Sequence, residues 1–111
     1  MTIIGRLFGS RRHANREPTP DEVADVDLDR MIAIARERGD RRSDPEVVAS
    51  LVIGAEVTAE RHHDADMRAR AVAASVAATR WLVASEGEEE AARLLSTSDG
   101  PVDEAGHARR P

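Results

Sequence analysis

Three side chains near the middle of the chain have the types and spacing that metal chemistry needs: Glu56, Glu60 and His63. On a helix they share one face, continued by Met67. Glu60-Arg61-His62-His63 is a Glu-x-x-His run. It sets a carboxylate and an imidazole one turn apart, able to share a single iron or zinc ion. A helix that dimerises would bring two such sets together. The favoured reading of the same residues is plainer: a solvated face on which Glu56 and Glu60 pair with Arg61 or Arg68, with no cofactor. Glu104 and His107 repeat the spacing, but in a Gly-containing tail where no helix is expected to hold them.

The Glu-x-x-His arrangement on a short chain that dimerises resembles that of encapsulated ferritin-like proteins. The resemblance covers Glu56, Glu60 and His63, and it implies a small metal-binding helical bundle. Helix one would then supply a further carboxylate, yet its acids, Asp25, Asp27 and Asp29, sit mainly off the face expected to turn inward. Other chemistries find less. There is no Cys and no Tyr, no Gly-rich phosphate loop, and no nucleophile with a base at motif spacing, so the chain is read as non-enzymatic. A helix-turn-helix outline around Gly39 fails because the second helix opens on Asp44, Glu46 and apolar residues where phosphate and base contacts belong. Nucleic acid is not an expected partner.

A second group of residues points to docking. Ile3, Ile4, Leu7 and Phe8 alternate with Arg6 and are followed by Arg11 and Arg12. This stretch looks like the short membrane-touching N-termini of some peripheral proteins, where apolar side chains enter the interface and Arg holds anionic headgroups. A groove on a larger protein assembly is the competing partner. Residues 1–20 carry four Arg against Glu17 alone, whereas the chain as a whole has net charge −5. The arm is basic and the body acidic.

The elements that position these residues are helical. Thr19-Pro20-Asp21-Glu22 and Ser43-Asp44-Pro45-Glu46 are both capping boxes with an early Pro. Helix one is expected from Pro20 to Arg38, with Ala24, Leu28, Met31, Ile32 and Ala35 inward, and with Gly39 ending it. From there to Ser85 the only Gly is Gly54, and no Pro follows Pro45. Within that span Val48, Leu51, Ala55, Thr58, His62, Ala65, Ala69, Val72, Val76, Thr79 and Val83 alternate spacings of three and four. That is a heptad seam, and it predicts one long helix over about 45–85 that pairs with a second copy. Asp64 is the one place where a new helix could be capped. His62 lies in the seam, either fixing register against its own copy, and then sensitive to pH, or bonded to a carboxylate such as Asp66, the favoured reading. Ser85-Glu86-Gly87-Glu88 reads as a third capping box, opening a short helix from Glu86 to Leu95. Trp81 is read as a packing anchor for it.

Composition sets the bounds. With 111 residues, one Phe, one Trp and an apolar content dominated by Ala and Val, the chain can build only a thin core, and association is the usual remedy. All 16 basic residues are Arg, which reads as GC-rich coding of actinobacterial or phage-like type. No apolar run approaches the roughly 20 residues a bilayer span needs. The expectation is therefore an all-α protein, a helical hairpin with one long helix (about 45–85), a short C-terminal helix and disordered termini, which forms a helical bundle by self-association. Its parts are a basic apolar arm (1–18), a helical domain (19–96) and a tail (97–111). Its role is that of a cytoplasmic structural or adaptor protein, peripheral to a membrane where the arm docks.

Overall fold

The computed structural model describes residues 17–98, and there the chain is all helix. Five helices follow in order: α1 Pro20–Ala24, α2 Leu28–Glu37, α3 Asp44–Arg61, α4 Ala65–Glu86 and α5 Glu88–Thr97. No strand occurs among the described residues. Residues 1–16 of the arm, Glu104 and His107 lie outside them.

Both early capping boxes form. Thr19 Oγ1 accepts from the Glu22 N–H at 3.2 Å while Glu22 Oε1 accepts from the Thr19 N–H at 2.9 Å. Ser43 and Glu46 repeat the exchange at 3.4 and 3.1 Å. Each box satisfies two of the N–H groups that a helix start leaves without partners. Gly39 ends α2 at φ 92°, in the left-handed region. Its N–H bonds to the Arg36 carbonyl and that of Asp40 to the Ala35 carbonyl, both at 3.0 Å, which is the Schellman closure.

The helix expected over Pro20–Arg38 divides. Ala24 is followed by a turn, and Asp27 Oδ1 accepts from the Arg30 N–H at 3.0 Å to begin α2. A short carboxylate competes well for backbone N–H groups, so Asp27 serves better as a cap than inside a helix.

The long helix expected over 45–85 also divides, at His62-His63-Asp64. His62 leaves α3 with ψ 138°, and Asp64 caps α4 by accepting from the Asp66 N–H at 2.8 Å. The Asp64 N–H bonds to His62 Nδ1 at 3.0 Å, and Arg68 Nη1 reaches the orphaned His62 carbonyl at 2.7 Å. Core register supplies the deeper reason. On α3 the buried residues include Val48, Val52 and Ala59; on α4 they include Ala71, Ala78 and Leu82. Ala59 and Ala71 are 12 residues apart in number, and at about 100° per residue a straight helix would rotate one set some 120° away from the other. Folding back lets the two sets meet instead.

They meet in two clusters. Ala59, Ala71 and Val72 pack near the hairpin bend, with Ala55 against them. Val48, Ala49, Val52, Ala78 and Leu82 form the larger cluster at the other end, with Ala91, Leu94 and Leu95 of α5. Leu28 and Ile32 of α2 pack against that cluster, as does the half-buried Trp81.

The third capping box does not form. Ser85 stays inside α4, where its hydroxyl donates to Glu86 Oε2 at 2.8 Å. Gly87, at φ 92°, ends α4 and starts α5 in one residue, so the short helix runs Glu88–Thr97 rather than Glu86–Leu95. A left-handed φ strains any residue with a Cβ, and glycine alone avoids it.

Candidate functional site

Glu56 and Glu60 lie on α3, half-buried and exposed respectively. His63 lies past the end of that helix, in the bend, with its ring stacked on His62 at 4.6 Å between centroids. The one-turn relation that Glu-x-x-His spacing has on a helix is therefore not formed between Glu60 and His63. Among the described residues no three His, Cys, Asp or Glu side chains converge as a metal would require.

The predicted interface residues separate into two sets. Val72, Val76 and Thr79 of α4 are buried within the single chain, as is Val48 of α3. Leu51, Ala55, Thr58, His62, Ala69 and Val83 are half-buried, and Ala65 is exposed. On α3 the core takes Val52 and Ala59, each one position beyond the seam members Leu51 and Thr58. Leu51 faces a shallow apolar groove of about 120 Å³ instead, shared with Met31, Ile34 and Ala35 of α2. His62 bonds to the Asp64 backbone rather than to the Asp66 carboxylate. Ile3, Ile4, Arg6, Leu7, Phe8, Arg11 and Arg12, the docking residues, lie outside the described residues.

A polar clasp that sequence reasoning missed fixes the α2–α3 turn. Asp40 is only 3% exposed, and its carboxylate takes the Arg42 guanidinium in a fork, Nε at 3.0 Å and Nη2 at 2.7 Å. The Arg42 N–H bonds to the same carboxylate at 3.1 Å. Arg36 closes the ring from α2, donating to the Asp40 carbonyl at 2.9 Å, to the Arg42 carbonyl at 2.5 Å and to Asp44 Oδ1 at 2.5 Å. The side-chain hydrogen bonds from Arg42 hold the Asp40 carboxyl below its ordinary range against the opposing effect of burial. The only local sign in the sequence is an Asp just past the helix-ending Gly39, two residues before an Arg.

An open groove of about 370 Å³ borders the clasp, where the start of α3 meets the end of α4 and α5. Arg42, Glu46, Glu90 and Arg93 line it. Arg42 is held by Asp40, Glu46 by the Ser43 cap and Glu90 by Arg93, so these charges serve one another. That makes it a structural groove.

Along α3, Ile53, Glu56 and Val57 are half-buried and Glu60 is exposed. Comparison with family models, with curated proteins and with solved structures finds no match to this chain.

Proposed function

We propose that the protein is a non-enzymatic helical adaptor that docks on an anionic membrane surface through residues 1–12. The segregation of charge carries this reading. Residues 1–16 hold four Arg and no acid, while residues 17–98 hold 18 acidic side chains against ten Arg. Near an anionic leaflet each Arg contributes about 1 kcal/mol, and apolar side chains entering the interface add to it. The acidic body is repelled by the same surface, which leaves the arm as the point of contact. No helix among the described residues is long and apolar enough to cross a membrane.

Self-association belongs to the same reading. One arm binds weakly and reversibly, and several on one assembly multiply the affinity. The seam members left out of the buried core, Leu51, Thr58, His62, Ala65 and Ala69, are the surface we assign to a second copy.

Co-sedimentation with phosphatidylserine-containing vesicles tests the docking. The full chain should pellet at low salt, and pelleting should fall with added salt and on deletion of residues 1–12. Equal pelleting of the deleted chain, or a full chain that stays in the supernatant, would count against the arm.

A further inference from the structure

The bend between α3 and α4 closes on a side chain that can take up a proton. The Asp64 N–H donates to His62 Nδ1 at 3.0 Å, so that nitrogen carries no proton and the ring's own proton sits on Nε2. The Asp64 carboxylate is committed to the Asp66 N–H at 2.8 Å, and the Asp64 carbonyl accepts from the Arg68 N–H at 3.0 Å. One imidazole nitrogen therefore fixes the residue from which α4 starts.

Charge around the ring is mixed. His63 stacks on it with centroids 4.6 Å apart. Arg68 reaches back from α4 to the His62 carbonyl at 2.7 Å, and its Nε is buried. Glu60 and Arg61 precede the ring at the end of α3, and Asp64 and Asp66 follow it at the start of α4. α1, which packs on α4, carries Asp21 and Glu22, and Glu22 accepts from the Thr19 N–H. α2 and α5 join the larger cluster at the far end of the hairpin.

We propose that this joint is a proton-sensitive switch: when His62 Nδ1 takes a proton from solvent, the bend opens and the first turn of α4 loosens. The cause is a donor set against a donor. An imidazolium has N–H at both nitrogens, so Nδ1 no longer accepts and the Asp64 N–H loses its partner. A second charge on the stacked His63, and the Arg68 cation on the same residue's carbonyl, add repulsion. Imidazoles ordinarily gain their proton near about pH 6.5, where carboxylates keep their charge. The closed bend requires the neutral ring. Its hold is therefore complete above that range and is lost as the pH falls through it. His62, Ala65 and Ala69 border the joint, so any effect on a second copy rests on the association reading above; the joint itself does not.

Imidazole and amide spectra of the full chain between pH 7.5 and 5.5 test the switch. At pH 7.5 the His62 ring should be the Nε2–H tautomer. On acidification the exchange protection of the Asp64 amide, corrected for the intrinsic rate at each pH, should fall about fivefold, as the loss of one hydrogen bond gives. The fall should share its midpoint with the His62 ring, while the Val52 and Leu82 amides keep their protection. In His62→Asn the side-chain oxygen accepts from the N–H two residues on and does not titrate, so the bend should stay closed throughout. His63→Asn leaves the acceptor in place and should keep most of the response. An Nδ1–H tautomer at pH 7.5, protection that does not change with pH, a response that survives in His62→Asn, or one that vanishes in His63→Asn would overturn the proposal. So would a response that grows with protein concentration, which would put the proton at a contact between copies.

Discussion

Replacing Leu82 by Ala is expected to cost about 3 kcal/mol of stability, within the range for emptying a buried leucine site. Leu82 is fully buried in the cluster where α3, α4 and α5 meet, among Val48, Val52, Leu94 and Leu95. Most of the side chains around it are Val and Ala, which are short and stiff or have nothing to move, so the cavity cannot be refilled. A domain of this size has roughly 5–15 kcal/mol in all, and the loss should lower the melting temperature by on the order of 15 °C. Thermal melts followed by far-UV dichroism, with urea titrations beside them, measure it. A loss under about 1 kcal/mol would show that the three helices do not close on Leu82 as described.

Asp40→Ala is expected to cost about 2 kcal/mol, by leaving the Arg42 guanidinium without its carboxylate and the turn without its clasp. The figure sits below that for a fully buried pair because Arg42 keeps 25% of its side-chain surface in water, against 2% for Asp40. The effect carries a pH signature. The folded carboxyl titrates below its ordinary value, so the unfolded chain binds the proton first. Its contribution is therefore complete above the ordinary carboxylate range, near pH 4, and is lost as the pH falls towards the depressed folded value. Asp40→Asn removes that dependence. Urea midpoints at pH 7, 5 and 3 should show a gap between the natural chain and Asp40→Asn that is constant from 7 to 5 and narrows at 3. A gap that widens at pH 3 would contradict the assignment.

What could be read before the structure was chiefly the chemistry of helix starts. Thr19, Ser43 and Gly39 announce their roles through groups within a few residues, and all three perform them. The interruptions at Asp27, His62–Asp64 and Gly87 were harder to place. An Asp that caps a helix and an Asp on a solvated helical face look alike until the core register is known. That register was blurred because Ala occupies so many positions on α3 and α4. With Ala at 49, 55, 59, 71, 73 and 78, the seam through Leu51 and Thr58 and the true core through Val52 and Ala59 differ by a single position. The Asp40 clasp depends on the path of the turn, which no local pattern dictates. For function, the arm was legible as composition, four Arg and no acid in residues 1–16.

The most direct measurement is the amide spectrum of the isotopically labelled full chain, titrated with nanodiscs of phosphatidylserine and phosphatidylcholine. An arm-docked adaptor predicts that signals of residues 3–12 broaden or shift first, while those of the α3–α4 core, Val52 and Leu82 among them, keep their native positions. Perturbation centred on the helical body, or a spectrum unchanged at saturating lipid, would contradict it.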